Sequence, residues 1–422
     1  MIRTIIKQMW AERKSNGWLV AELILAGAFL WYISDRFLVD YYTYIQPTGF
    51  DVSNTYRIKL KNFSGTDSRF TDKDDSAIET EDLLLMMQRL KQLPEVENCS
   101  ASFYSCFYSR GNSNKNLVAD NETVTDPKNV EYYNYRRVTP EFFALSHILS
   151  ENGEKINVDN LPHNAVIITS DLRDKLFPDK NAIGKIVYSF YGTDTIRYTV
   201  AAVTTPIRNI EYEKNDPCIF ECMIGPVLIN NVKQFGATNA ELLIRIKPEA
   251  DHDFVNTFTK QMGERLTINN LYVSGIEPVT KMREFRMNWY WSQQKTELSL
   301  FGFVLLNIFF GIIATFWLHT GYRQEEMGLR IALGANSKNL LSMLFIEGIC
   351  LLGITILPVV IIALNIVNMD YMDTFRMPFT FWRFLTGLAI TYGLMLIMIM
   401  LGIWYPARTA SRLNPVEALR YE

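Results

Sequence analysis

Four apolar runs interrupt an otherwise mixed sequence: WLVAELILAGAFLWYISDRFL at 18–38, LSLFGFVLLNIFFGIIATFWL at 298–318, LSMLFIEGICLLGITILPVVIIALNIV at 341–367 and FLTGLAITYGLMLIMIMLGIW at 384–404. Each is about as long as the roughly 20 helical residues that cross a hydrocarbon core, so each is expected to span a membrane. The last three lie close together, and the first stands apart, followed by a mostly polar stretch at 39–297.

That stretch reads as a folded domain. TYRIKL at 55–60 alternates as a strand does, and AVIIT at 165–169 is a short buried-strand run. IRYTVAAVTT at 196–205 and ELLIRIK at 241–247 are further strand candidates. Thr80 is placed to cap a helix through LLLMMQRLKQL that ends before Pro94, and Ser170 or Asp171 to cap DLRDKLF. The expected fold is an α-helical membrane protein with four transmembrane helices and a large mixed α/β extracytoplasmic domain inserted between helices 1 and 2. The divisions are a segment at 1–17, transmembrane helix 1 at 18–38, the domain at 39–297, a helical core at 298–404 and a tail at 405–422.

Charge sets the expected orientation. Arg3, Lys7, Arg13 and Lys14, then Arg323, Arg330 and Lys338, then Arg408, Arg412 and Arg420 fall on one side of four spans. By the positive-inside rule that side, with both termini, is cytoplasmic. The loop between spans three and four carries Asp370, Asp373 and Arg376 and is poorer in basic residues. Trp31, Tyr32, Tyr41, Tyr42 and Tyr44, then Trp289, Tyr290 and Trp291, then Trp382 are expected as interfacial belts. Ile2, Ile5, Ile6 and Met9 share one helical face, which suits a helix lying on the membrane surface; a frayed basic start is the alternative. Ala26-Gly27-Ala28, the one A-x-A candidate, sits in mid-run, so the first span is expected to stay uncleaved. Glu22 and Glu347 are expected to snorkel or pair near the cytoplasmic ends, and Asn307 and Asn365 to bond between helices.

Composition then removes several function classes. A net charge of −3 gives no case for nucleic acid as a partner. Five cysteines include no pair of CxxC elements, so no zinc site is expected, and Cys99/Cys106 or Cys218/Cys222 remain open as disulfides outside the cytoplasm. His147, His163 and His252 are isolated, no catalytic triad spacing occurs, and no G-x-x-x-x-G-K-[ST] phosphate cradle is present. The chain is expected to be no enzyme and to hold no cofactor of its own, with any ATP and Mg on a partner.

The segment GYRQEEMGLRIALGANSKNLLSMLFIEG at 321–348 reads as helix–turn–helix. A helix over 322–333 carries Glu326 and Arg330 four apart, Gly334 is a natural stop, and Asn336 or Ser337 can cap the helix that enters span three. In the tail, Pro406 ends span four or begins a new turn, and Asn414-Pro415-Val416-Glu417 is a good helix start.

Both segments resemble known motifs. EMGLRIALGA is similar to the signature of FtsX-like permease domains, and YPARTASRLNPVEALRYE to the terminal motif of the same family. More weakly, YRRVTPEFFAL, VIITSDLRDKLFPDKNAIGKIV and YTVAAVTTPIRNI resemble the periplasmic core domain of MacB proteins. The resemblance implies the permease of a MacB/FtsX-type ABC transporter in a bacterial inner membrane, paired with an ATPase subunit and a second permease. It implies that a helix at 322–333 abuts the ATPase. Glu326, Gly328, Arg330, Ala332, Leu333, Gly334 and Ala335 match that loop motif, with Glu325 beside them, and Pro406, Ala407, Asn414, Pro415, Ala418 and Leu419 lie in the tail motif. Ile331 departs from the pattern, which has a basic residue there. The implied work is mechanotransmission for efflux or export, with membrane lipid and a periplasmic adaptor or outer-membrane channel as further partners. An FtsX-like regulator of a cell-wall partner and a ligand-sensing receptor are the alternatives.

Overall fold

The computed structural model describes residues 13–71, 76–109, 111, 113–119, 130–191, 194–261, 266–322 and 337–410. It divides into two compact units, 1–45 with 292–422, and 46–291. The chain opens with α1 (Arg13–Ile45) and then runs through β1 (Thr55–Asn62), α2 (Ser76–Lys91), β2 (Val96–Phe103), β3 (Asn114–Asn116), β4 (Val118–Ala119) and β5 (Tyr132–Val138). Next come α3 (Glu141–Leu145), β6 (Ala165–Thr169), α4 (Ser170–Leu176), β7 (Ile186–Tyr191), β8 (Asp194–Thr204), β9 (Cys218–Cys222) and α5 (Pro226–Phe235). After them follow β10 (Glu241–Ile246), α6 (Phe254–Gln261), β11 (Thr267–Ile268) and β12 (Leu271–Pro278). Three long helices close it: α7 (Val279–Tyr322), α8 (Ser337–Asn368) and α9 (Phe381–Ala410).

Among the described residues four helical stretches are long and apolar enough to cross a membrane: Gly17–Ile45, Val279–Thr315, Leu341–Asn368 and Phe381–Trp404. The chain is a multi-pass membrane protein, with a mixed α/β domain between its first and second membrane helices. All four helices outrun their apolar runs, the first and second the most. The first continues to Ile45, and the second begins at Val279, where the sequence is still polar. Alternation is lost at 279–297 and no proline intervenes, so once Pro278 ends β12 the chain can run on as helix. Pro358 lies inside α8, and the helix passes through it. The membrane unit packs Leu19, Leu23, Ala26 and Leu30 of α1 against Met343, Leu344 and Leu351 of α8 and Met395 and Ile399 of α9.

Among its described residues the domain holds one twelve-stranded sheet in the order β11-β12-β1-β10-β2-β5-β9-β6-β8-β7-β4, with β3 on β5. Among the described residues only β5–β9 and β6–β8 pair in parallel. That explains the unbroken burial of β6 and β9, because strands covered on both faces have no solvent side to mark with polar residues. The β2–β5 ladder is two residues long, Ser102 with Val138 and Phe103 with Arg137. It joins two lobes with separate cores. Tyr56, Leu83, Met86, Leu242 and Phe258 fill one, and Phe142, Phe143, Ile167 and Phe220 fill part of the other. Each fully buried large apolar side chain contributes roughly 1.5–3 kcal/mol.

Several local expectations are corrected. The helix expected to start at Thr80 begins at Ser76, and Thr80 is buried within it. Thr169 occupies the cap position before α4, and Asp171 Oδ1 accepts from the Leu172 amide. Trp31 is fully buried against Phe384 instead of sitting in an interfacial belt. Tyr290 stacks on Tyr212 and donates to Glu213 at 2.9 Å, inside the domain. Asn307 and Asn365 donate to the carbonyls of Phe303 and Ile361 in their own helices and are exposed, so neither bridges helices. The five cysteines are free thiols.

Candidate functional site

The expected coupling loop lies between two described helix ends. Tyr322 is the last residue of α7 and Ser337 the first of α8. Glu325, Glu326, Gly328, Arg330, Ala332, Leu333, Gly334 and Ala335 fall outside the described residues, as do Asn414, Pro415, Ala418 and Leu419 of the tail. Pro406 and Ala407 lie within α9, which continues to Ala410, so Pro406 does not end the fourth helix.

The membrane unit is bound by a charged cluster near the Ile45 end of α1. Asp35 and Arg36 lie in the first span together with Glu22, the one charge that was weighed there, and Asp35 proves central. Arg383, at the start of α9, forks onto it with Nε at 2.8 Å from Oδ1 and Nη2 at 2.6 Å from Oδ2. Arg383 Nη1 donates to the carbonyls of Asp373 and Met377 in the preceding loop. Arg376 of that loop joins Asp40 and Asp373, each at 2.6 Å. Burial pushes the Asp373 carboxyl up, but hydrogen bonds from Arg376 outweigh it and hold it below the ordinary carboxylate value. Two arginines thus tie the loop between α8 and α9 to α1, and the same arginines answer the charge of Asp35 and Asp40. A charged residue at the edge of each of two apolar runs, Asp35 inside 18–38 and Arg383 just before 384–404, was the available signal.

At the other end of α1, Glu22 accepts from Thr315 Oγ1 of α7 at 3.2 Å. Gly311 makes room for it: a Cβ there would lie 2.3 Å from Glu22 Oε1. Glu347 is buried in α8. Glu22 therefore pairs between helices, as expected of it.

A second polar cluster forms inside the domain where the chain enters and leaves it. Arg208 is buried and donates to the carbonyls of Gln46, Pro47 and Glu211. Glu211 Oε1 receives Tyr108 Oη at 3.0 Å and Arg283 Nε, from the first turns of α7, at 2.5 Å. Burial, then the Glu211 charge, push the Tyr108 hydroxyl far up, so it stays a donor. Gly49, at φ +84°, turns the chain just after Pro47, and a Cβ there would meet the Pro206 carbonyl at 2.3 Å. One node thus fixes residues 46–49 and the root of α7 to the same loop. Among the described residues no cluster of His, Cys, Asp and Glu could hold a metal ion.

The chain is similar to known proteins over both of its units. Residues 298–415 match the model described as FtsX-like permease C-terminal. The macrolide export ATP-binding/permease protein MacB of Pasteurella multocida (strain Pm70) is 27% identical over 293 residues, 68% of this chain and 42% of that protein. The MacB of Shewanella sp. (strain W3-18-1) is 24% identical, over 79% of this chain and 48% of that protein. The chain therefore spans less than half the length of these relatives. An uncharacterized ABC transporter permease, YvrN of Bacillus subtilis (strain 168), is 24% identical over 72% of this chain and 74% of its own. Among solved structures, the periplasmic region of MacB from Actinobacillus actinomycetemcomitans aligns at 12% identity and TM-score 0.33, covering 57% of this chain and 95% of that one. The extracellular domain of the YknZ transporter from Gram-positive bacteria aligns at 13% identity and TM-score 0.28, over 53% and 100%.

Proposed function

We propose, from the premise that the chain belongs to the MacB/FtsX family of ABC transporter permeases, that it couples ATP hydrolysis on a separate ATPase subunit to movement of its inserted domain, for efflux or export. The ATPase bears on the segment 322–333 through Glu325, Glu326 and Arg330, on the cytoplasmic side of a bacterial inner membrane. ATP and Mg belong to that partner. The observation that carries this reading is α7, a single helix of 44 residues that starts in the inserted domain and ends at the coupling loop. A helix without a break transmits displacement along its axis better than a jointed connection, and its root is pinned by Arg283 to Glu211. The exposed Leu298, Phe303, Leu306 and Phe310 on α7 suit contact with lipid and with a second permease.

The test is purification of the tagged chain in mild detergent from its native host, with mass spectrometry of what accompanies it. An ABC ATPase is expected with the wild type and is expected to be lost from a Glu326→Lys, Arg330→Glu variant. If no ATPase accompanies the wild type even after crosslinking, the coupling reading is wrong.

A further inference from the structure

The inserted domain contains a cavity of about 760 Å³ that the coupling reading leaves without a role. Its volume is in the range of small-molecule sites. At its floor, Lys115 Nζ donates to Tyr135 Oη at 3.1 Å and to Tyr198 Oη, and both tyrosines donate to Glu221. Lys115 Nζ also lies 3.7 Å from Glu221 and over the faces of both tyrosine rings. The Glu221 charge is therefore fully answered within the floor. Lys115 is 17% and Glu221 11% exposed, so this network was assembled away from bulk water. Burial pulls the Lys115 ammonium down from its ordinary value, and Glu221 only partly restores it.

Above the floor the balance is cationic. Of the described residues lining the cavity, Lys115, Arg137 and Arg197 carry positive charge and Glu221 is the lone carboxylate. Arg137 is held between two rings, its Cζ 4.6 Å from the Tyr135 centroid and 5.1 Å from that of Phe235, with Nη1 on Ser113 Oγ at 3.1 Å. Its Nε and Nη2 have no hydrogen-bond acceptor among the described residues. A guanidinium held by two rings and one hydrogen bond, with two donors free, is the arrangement that takes a bidentate anion. The rim is aromatic and open, with Tyr132 67% and Tyr191 79% exposed.

We propose that this cavity binds an organic anion, whose carboxylate, sulfonate or phosphate head meets Arg137 and whose aromatic or apolar body lies against Tyr132, Phe190 and Tyr191. The excess of guanidinium charge selects the head, and the exposed rings select the body. The assignment stands apart from the ATPase reading, since every residue it uses lies in the inserted domain.

The probe is 1-naphthaleneacetate, titrated calorimetrically into the full chain in phosphatidylcholine nanodiscs, with empty nanodiscs subtracted and 2-(1-naphthyl)ethanol as the neutral counterpart. Saturable binding of the acid is expected, about tenfold tighter than the alcohol, as losing a charge-assisted hydrogen-bonded pair costs. Arg137→Gln is expected to weaken the acid about tenfold and leave the alcohol unchanged, while Arg137→Lys retains part of the preference. Arg197→Gln, at the exposed edge, is expected to weaken the acid about threefold by loss of one screened charge, and it keeps the test open should Arg137→Gln fail to fold. Equal binding of acid and alcohol, no saturable binding by the wild type, or a preference that survives both folded variants overturns the assignment.

Discussion

Asp35 and Arg383, far apart in the chain, meet as a bidentate ion pair with side chains 2% and 0% exposed. An apolar surround makes each charge depend on the other, and breaking a buried pair by removing one partner costs about 3–5 kcal/mol. Asp35→Asn and Arg383→Gln are each expected to lower the stability of the membrane unit by that order. The double variant Asp35→Asn, Arg383→Gln is expected to lose less than the sum of the two. Unfolding in detergent titrated with sodium dodecyl sulfate, run as a double-mutant cycle, measures the coupling; additive losses would show that the pair contributes nothing of its own.

The cysteines give a second prediction. Cys218 and Cys222 sit at the two ends of β9, so their Cα atoms are about 13 Å apart, beyond the reach of a disulfide. Cys99 and Cys106 belong to different cores. Burial pushes the Cys99, Cys218 and Cys222 thiols up to about 12 and Cys106 well above its ordinary value. All four are expected to resist iodoacetamide in the native chain and to react once it is unfolded, with no reductant needed. Mass spectrometry of the alkylated chain counts them; native labelling of Cys218 or Cys222 would contradict the burial.

The membrane helices were legible because about 20 consecutive apolar residues admit few other readings, and strands such as Thr55–Asn62 and Ala165–Thr169 because their patterns are local. The polar clusters were not. Nothing near Arg208 signals that it will close on Gln46 and Pro47, a contact set by how the loop after β8 returns to the first residues of the domain. Asp35 and Arg383 were visible as charges at the edges of spans, but the pairing depends on how α1 packs beside α9. The cavity left no trace for the same reason: Lys115, Arg137, Tyr198 and Glu221 come from four strands that only the folded sheet brings together. Long-range pairings of this kind leave no periodicity.

Acid is expected to loosen the inserted domain in a defined window. At Asp51, burial raises the carboxyl pKa, but hydrogen bonds from Ser53 and Arg245 more than offset it and hold it below its ordinary value of 3.8. At Glu277, burial is likewise outweighed by Lys59 and Arg57, holding the group below 4.5. A carboxyl whose folded pKa is depressed stabilises fully above its unfolded value, and that stability is lost as pH falls through the folded value. The loss should therefore begin near pH 4.5 and continue below 3.8. Asp51→Asn and Glu277→Gln are expected to be less stable at neutral pH and to show a flatter decline in acid. Hydrogen exchange of β1 and β10 amides from neutral pH to about pH 3 reads this; identical slopes in variant and wild type would refute it.

The last prediction concerns Gly27 in α1, which lets the first membrane helix approach two others. A Cβ there would lie 2.9 Å from Val359 Cγ2 of α8 and 3.3 Å from Met395 Sδ of α9. The methionine thioether can swing aside, but a β-branched valine is stiff at χ1 and its methyl cannot retreat without moving the helix. Small residues at such crossings permit the close backbone packing on which membrane helices depend. Gly27→Ala is expected to cost about 1–3 kcal/mol, the usual penalty of overpacking. Val359→Ala removes the methyl that collides, so the pair Gly27→Ala, Val359→Ala should be more stable than Gly27→Ala alone, although Val359→Ala by itself destabilises. That sign reversal distinguishes a steric crossing from a general dislike of substitution in α1. If Val359→Ala adds its own loss to that of Gly27→Ala, the close approach of α1 to α8 at this turn is not what Gly27 provides.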